Sequence, residues 1–163
     1  RRHPHVFGAD SCADSDAVLK RWDEIKRIEK GAAAESALDG VPGGLPALLR
    51  AQKVQKKAAK VGFDWSEASP VLAKIREELD EIEAELAAGH AARIEDEVGD
   101  LLFSVVNLSR KLKLDAETAL HGATGKFIAR FREVEVLARD RGLALEKMSL
   151  PELDALWDEV KAR

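Results

Sequence analysis

Two pairs of carboxylates could do chemistry together. Glu78 and Glu81 lie in the segment EELDE, and Glu97 and Asp100 lie in EVGD. A spacing of three places two side chains about one turn apart on the same face of a helix. Apolar residues at helical spacing flank both pairs, so we expect the pairs to face each other across the seam between two packed helices.

Four carboxylates that converge at such a seam would repel one another and resist the loss of hydration. A hard divalent cation removes this conflict, because Mg²⁺ prefers carboxylate oxygens and retains bound waters. We therefore interpret the four acids as candidate ligands of Mg²⁺, with Mn²⁺ as the alternative ion. A single pair at this spacing is usually a solvated helix face, and the repetition on two sequential helices favours a site.

The elements that must position these acids are helices. Charged residues recur at helical spacing, aromatic residues make up 5% of the chain, and tyrosine is absent. Alternation of β-branched residues is nearly absent as well, so the predicted fold class is all-α. The predicted helices span residues 16–30, 46–60, 69–88, 91–112, 115 to just before 142, and 150 to the last residues of the chain.

Several helix ends carry their own signals. Ser69 followed by Pro70 predicts an N-cap and a first turn, and Asp115 predicts the cap of the next long helix. The segment Ser149-Leu150-Pro151-Glu152 has the pattern of a capping box. Short connections between the middle helices predict antiparallel neighbours and hence a bundle.

The helix predicted over residues 91–112 is apolar almost all round in its middle, DLLFSVVNL. This composition predicts a buried central helix. The remaining short helices supply too little surface to cover it, so we expect the chain to form a homodimer.

Composition limits the classes of function. The chain has 163 residues, 45% hydrophobic and 34% charged, which suits one compact domain. Its net charge of −4 argues against a nucleic-acid partner. No apolar run reaches the roughly 18–20 residues of a membrane span. The single cysteine, Cys12, is consistent with a cytoplasmic location.

The acidic motif also carries a family resemblance. Glu77-Glu78-x-x-Glu81, followed by Glu97-x-x-Asp100 and then LLF, resembles the EExxE…ExxD signature of MazG and the related all-α NTP pyrophosphatases. The flanking segments VGFDW, VVNLSR and KFIARFREVE agree with it. The opening RRHPHVFGAD resembles the end of a first repeat. We therefore expect residues 1–14 to be a tail or linker and residues 15–163 to form the catalytic C-terminal domain.

The resemblance implies an all-α helical bundle completed by dimerisation. It also implies hydrolysis of nucleoside triphosphates to monophosphate and pyrophosphate, with broad base specificity and a house-cleaning role in the nucleotide pool. Glu78, Glu81, Glu97 and Asp100 would then be the metal ligands. Glu77 is a candidate general base, and its alternative interpretation is a solvent-facing helix residue.

Other residues near the motif are candidates for contact with the substrate. Lys74 and Arg93 each lie one turn before a predicted ligand, so both are expected to reach a phosphate oxygen. Asn107 lies two turns after Asp100 and would bond either the nucleotide or another group inside the bundle. We interpret Trp65 as a packing residue rather than a stacking platform.

The resemblance implies four further substrate contacts towards the C-terminus. Lys126 and Arg130, four apart on one helix face, match phosphate-contacting residues. Trp157 would lie against the base or sugar, and Lys161 against phosphate. The chain departs from the family pattern at Ala129, where the family has an arginine.

Three functions remain distinct at this stage. The first is an enzyme that acts on several nucleoside triphosphates. The second is a base-specific pyrophosphatase of the dUTP or phosphoribosyl-ATP type, which would differ in the base pocket. The third is a catalytically silent module for dimerisation or metal binding, against which the intact acidic motif argues.

Overall fold

A computed structural model describes residues 36–163, and in this range the chain is helical without a β-strand. The all-α prediction is confirmed for these residues. The predicted helix at 16–30 and the boundary between residues 14 and 15 lie outside them. The helices are α1 (Ala47–Lys60), α2 (Ala68–Ala88), α3 (Ala91–Lys111), α4 (Ala116–Asp140) and α5 (Leu150–Lys161), with a short 3₁₀ helix at Leu145–Lys147.

Helices α2 and α3 form a hairpin, and their mutual contact is the most extensive between any two elements described. Gly89 ends α2 with a φ of 75°, a left-handed conformation that glycine adopts without steric cost. The turn needs only Gly89 and His90, so the two helices run antiparallel. Val71 of α2 and Val106 of α3 are the fully buried side chains of this part of the molecule.

Helix α1 lies across α3 and the start of α4 and is tied there by a buried glutamine. The side-chain Nε2 of Gln52 donates to the carbonyl of Leu114 at 3.0 Å, and its Oε1 accepts from the backbone N–H of Ala116 at 3.2 Å. The Gln52 amide therefore satisfies two backbone groups of the α3–α4 connection that no helix ladder pairs.

Helices α4 and α5 share a separate apolar core. The Asp115 cap is confirmed, because its side chain accepts from the N–H of Thr118 at 2.8 Å. The capping box of α5 is confirmed as well, with the N–H of Ser149 donating to Glu152 at 2.7 Å. The buried residues of this core are Val134, Leu137, Ala138, Leu156 and Val160.

The predicted N-cap at Ser69 is wrong. Helix α2 begins at Ala68, with Glu67 at the cap position and no side-chain cap bond. Ser69 and Pro70 are therefore the second and third helical residues. The first four N–H groups of a helix have no intrahelical acceptor, so Pro70 is tolerated there and the helix extends further upstream than the proline suggests.

Within a single chain α3 is only partly buried, which agrees with the expectation that the other helices supply too little surface to cover it. Its buried residues are Ser104, Val106 and Asn107, whereas Leu102 is 51% exposed. The physical reason is that α1, α2 and α4 cover only part of the circumference of α3. Within residues 36–163, no helix is long and apolar enough to cross a membrane.

Candidate metal and nucleotide site

The predicted acidic residues converge where α2 packs on α3. Carboxylate oxygens of Glu78, Glu81 and Glu97 all lie within 4.8 Å of one another. Glu78 and Glu81 are one turn apart on α2, and Glu97 faces them from α3, as the spacing predicts. The arrangement offers three anionic oxygen ligands from two rigid helices, which is the donor chemistry that Mg²⁺ or Mn²⁺ prefers.

Burial and like charge act together on this cluster. Partial desolvation raises the pKa of Glu81, and the neighbouring carboxylates of Glu97, Glu78 and Glu77 raise it further, against the effect of Lys74. A group whose charged form is disfavoured by its neighbours gains when a cation arrives. The electrostatics therefore favour a positive charge at the point where the three oxygens meet.

Lys74 supplies part of that charge from one turn earlier on α2. Its Nζ lies 2.7 Å from Glu78, which is 2% exposed, and 2.9 Å from Glu77. Hydrogen bonds to Glu78 and then to Glu77 raise the pKa of Lys74 above its ordinary value. Glu77 itself is more than half exposed and stays outside the three-carboxylate cluster.

Asp100 lies one turn after Glu97 on α3 and is exposed. It does not belong to the three-carboxylate cluster, but it lines the same cavity as Glu78 and Lys74. The fourth predicted ligand is thus beside the other three without touching them in this arrangement.

The cavity has a volume of about 630 Å³ and opens between α1, the 61–65 turn and the α2–α3 hairpin. This volume is in the range of small-molecule sites. One part of its wall carries Glu78, Asp100 and Lys74, and another part is apolar and aromatic. The apolar lining residues include Val54, Ala58, Phe63, Trp65 and Phe103.

Trp65 therefore lies in a cavity wall, 44% exposed, rather than in a core. Phe63 is 84% exposed beside it. Exposed aromatic rings at a cavity mouth are suited to stacking against a planar ligand.

An ion-pair network that the sequence did not predict holds the 61–65 turn against α3. Arg110 grips Asp64 with two parallel hydrogen bonds of 2.9 and 2.5 Å, and Lys111 adds a third at 2.7 Å. Lys111 also donates to the carbonyl of Trp65. The Arg110 guanidinium, followed by the Lys111 ammonium, holds the pKa of Asp64 well below its ordinary value. The network fixes the aromatic wall of the cavity.

Two buried polar residues complete the lining. Asn107 is 6% exposed, and its Oδ1 accepts from Arg110 at 2.6 Å, so it makes the intramolecular bond that was one of its two predicted roles. Gln55 of α1 is 5% exposed, and its Nε2 donates to the carbonyl of Phe103 at 2.8 Å. Sequence reasoning missed Gln55. The sequence does contain a sign of its role. Leu48, Gln52, Gln55 and Ala59 recur at helical spacing on one face of α1, and two glutamines there occupy positions where apolar residues are expected.

Comparison with known proteins places the sequence of this chain in a family. A family model described as the MazG nucleotide pyrophosphohydrolase domain matches residues 67–135, which contain all of α2 and α3 and most of α4. A nucleoside triphosphate pyrophosphohydrolase of Escherichia coli (strain K12) is 49% identical over 164 residues, covering 99% of this chain and 62% of that protein. The chain belongs to the MazG family.

Other relatives support the same assignment. A nucleoside triphosphate pyrophosphohydrolase/pyrophosphatase MazG of Thermotoga maritima is 45% identical over 99% of this chain and 60% of that protein. An uncharacterized protein of Bacillus subtilis is also 45% identical over 99% of this chain, which corresponds to 33% of its own length. The chain thus spans about three fifths of the two MazG-type relatives and a third of the Bacillus protein.

The remaining candidate residues of this MazG domain do not line the cavity in the single chain. Arg93 is exposed and lies 3.4 Å from Glu85. The other four belong to the α4–α5 pair. Trp157 packs against Phe127 with ring centroids 5.1 Å apart, Lys161 pairs with Asp158 at 2.9 Å, and Lys126 and Arg130 are exposed without an ion pair to any described residue.

Proposed function

We propose that this MazG domain hydrolyses nucleoside triphosphates to nucleoside monophosphate and pyrophosphate with a bound Mg²⁺, for which Mn²⁺ can substitute. The observation that carries the proposal is the cluster of three carboxylates within 4.8 Å beside a cavity of about 630 Å³. Two relatives, those of Escherichia coli and Thermotoga maritima, are named as nucleoside triphosphate pyrophosphohydrolases. Broad base specificity and a role in cleaning the nucleotide pool belong to the same proposal.

The donor set suits the metal. Glu78, Glu81 and Glu97 supply the clustered oxygens, and Asp100, which lines the same cavity, completes the set. A bound Mg²⁺ would polarise the phosphates and lower the pKa of a coordinated water. The helices fix the spacing of the carboxylates before any ligand arrives, so little ordering cost remains for binding.

Hydrolysis adds one water across the anhydride between the α and β phosphates. The bridging P–O bond breaks, one product takes the hydroxyl, and one proton is released and needs an acceptor. Glu77 fits this role because it lies next to Glu78 yet stays outside the carboxylate cluster and is exposed. Lys74, between Glu77 and Glu78, would offset the charge that develops on the leaving pyrophosphate.

We further propose that the substrate-binding set includes residues of a second copy of the chain. On α2, Leu72, Leu79 and Leu86 recur every seven residues and are 39%, 46% and 60% exposed. Leu102 on α3 and Leu112, which directly follows α3, are exposed as well. A repeat of seven leaves one apolar face of the hairpin for a like helix to cover, as in an isologous dimer. Light scattering is expected to give twice the 17.8 kDa of one chain, and a monomer at micromolar concentration would contradict the dimer.

In such a dimer the α4–α5 residues approach the cavity from the second chain. Lys126 and Arg130, which are exposed and form no ion pair within residues 36–163, would supply positive charge for the triphosphate. Trp157 would cover the sugar, and Lys161 and Arg93 would exchange their present carboxylate partners for phosphate oxygens. Asn107, fixed by Arg110, would offer its remaining amide N–H groups to the nucleotide.

The test is the release of pyrophosphate from ATP, GTP, CTP, UTP and dUTP, followed by ³¹P NMR with and without Mg²⁺. We expect monophosphate and pyrophosphate from every substrate in Mg²⁺, and no turnover in excess chelator. Glu97→Gln is expected to abolish turnover, whereas Glu95→Gln, an exposed neighbour on α3, leaves it unchanged.

The alternatives have their own outcomes in the same experiment. Turnover of dUTP alone would identify a base-specific enzyme. Inactivity towards all five substrates and phosphoribosyl-ATP would indicate a silent module. Full activity of Glu97→Gln would remove the metal site from the proposal.

A further inference from the structure

Gln55 has a buried hydrogen-bond acceptor that no residue of the described chain, residues 36–163, pairs. Its side chain lines the cavity, and its Oε1 is shielded from solvent without a hydrogen-bond partner among residues 36–163. Buried polar atoms in folded proteins are nearly always paired, and an unpaired one is costly. A ligand donor that reaches this atom would therefore remove the cost of leaving it unpaired.

The chemistry of that partner is restricted. The Nε2 of Gln55 is committed to the carbonyl of Phe103 at 2.8 Å, which fixes the plane of the amide and leaves only the oxygen. A group that satisfies this oxygen must be a donor. The lining beside it is apolar and aromatic, including Phe63 and Trp65, so the ligand portion is planar and apolar on its faces.

The same cavity is lined by Glu78 and Asp100, so a ligand that fills it presents its phosphates to the acids and its planar part to Gln55. We propose that Gln55 Oε1 accepts a hydrogen bond from an N–H group on the Watson–Crick edge of the nucleobase. This inference rests on the proposed pyrophosphohydrolase function and assigns a specificity-determining residue to it.

A lone acceptor explains tolerance among bases. Adenine and cytosine each present an amino group on that edge, and guanine and uracil each present a ring N–H. Every common base can therefore satisfy Gln55, while a base without an N–H donor leaves the oxygen unpaired. The site should select for the presence of a donor rather than for one base.

Purine riboside triphosphate tests this directly, because hydrogen replaces the 6-amino group of ATP and the edge has no N–H donor. For the wild-type protein we expect kcat/KM for the analogue to be roughly 10- to 100-fold below that for ATP. In Gln55→Met the ATP value is expected to fall to about that of the analogue, so the ratio approaches one. Equal values for the two substrates in the wild-type protein would overturn the proposal, and that comparison needs no variant.

Gln52→Met is the matched control on the same helix. It loses two backbone bonds outside the cavity, so it should lower stability and keep the wild-type ratio. An equal loss of the ratio in both variants would show a general effect of α1 and overturn the role of Gln55.

Binding separates this inference from the proposed reaction. Calorimetry with the α,β-methylene forms of both nucleotides reports the preference without turnover. A Gln55-dependent preference in a protein that fails to hydrolyse ATP would reject the proposed reaction and retain the base contact. Hydrolysis of ATP without a binding preference for ATP over the purine analogue would reject the base contact and retain the proposed reaction.

Discussion

The two parts of this MazG domain bury different kinds of residue. Helices α4 and α5 enclose an apolar core formed by residues such as Leu137 and Leu156, and their caps are satisfied. Around the cavity, α1, α2 and α3 bury few apolar side chains. The buried polar residues of the described chain all lie on these three helices, and they are Gln52, Gln55, Glu78, Ser104 and Asn107.

This difference indicates that the α4–α5 core stabilises the fold, whereas residues around the cavity carry the proposed chemistry. Apolar burial without unpaired groups stabilises a fold, whereas a buried carboxylate such as Glu78 and an unpaired amide oxygen cost stability and persist where function needs them. We therefore expect substitutions in the α4–α5 core to act on the free energy of unfolding. Substitutions in the cluster of Glu78, Glu81 and Glu97 should act mainly on turnover.

The largest expected effect is on turnover. Glu78→Gln removes one anionic oxygen from the cluster and is expected to lower kcat/KM by about 10³-fold. Lys74 keeps Glu77 as a partner, so the helical circular-dichroism signal should change little. Glu83→Gln, exposed on the same helix and outside the cluster, is the control and should retain wild-type kinetics. A proportional loss in both variants would mean that α2 tolerates no change of charge, and the distinction between the two regions would fail.

The opposite pattern is expected for Leu156→Ala. Leu156 is 4% exposed in the α4–α5 core, and its truncation should cost about 2–5 kcal/mol of unfolding free energy in urea. Turnover per folded molecule should remain at the wild-type level. Leu150→Ala, at a position 70% exposed on the same helix, should stay within about 0.5 kcal/mol of wild type. A large loss of kcat in folded Leu156→Ala would contradict the separation between the α4–α5 core and the residues that act on turnover.

A smaller, pH-dependent effect is expected at the turn that carries Trp65. Asp64→Asn breaks the ion pairs to Arg110 and Lys111 and should cost about 1–3 kcal/mol near pH 7. Because the folded-state pKa of Asp64 is lowered, its carboxylate stabilises the fold above the ordinary pKa, and this contribution is lost as the pH falls towards the lowered pKa.

The difference in unfolding free energy between wild type and Asp64→Asn should therefore be constant from pH 6 to 7 and shrink below about pH 4. Urea unfolding at a series of pH values measures it. A difference that does not change with pH would mean that shape rather than charge holds the turn.

Local sequence patterns predicted much of this structure, but they do not predict contacts between residues that are far apart along the chain. Capping at Asp115 and Ser149 and the alignment of Glu78 with Glu81 depend on neighbours within one turn, so spacing was enough. The Arg110–Asp64 pair joins residues 46 apart, and Gln55 meets Phe103 across 48 residues. No helical period encodes such contacts.

The family resemblance and the structure of the single chain give Trp157 different partners. The resemblance assigns Trp157 to the nucleotide, whereas the described chain packs it against Phe127. In the dimer proposed above, such a residue would reach the cavity of a second copy of the chain. A sequence pattern identifies the residues of a site, but it does not say which copy of the chain contributes each of them.

Metal binding tests the acidic cluster itself. Free Mn²⁺ can be followed by electron paramagnetic resonance while the ion is titrated into the wild-type protein, Glu81→Gln and Glu83→Gln. We predict that the wild-type protein binds Mn²⁺, that Glu81→Gln binds it at least about tenfold more weakly, and that Glu83→Gln matches wild type. Equal affinity of all three proteins, or no binding by the wild-type protein, would contradict a metal site formed by Glu78, Glu81 and Glu97.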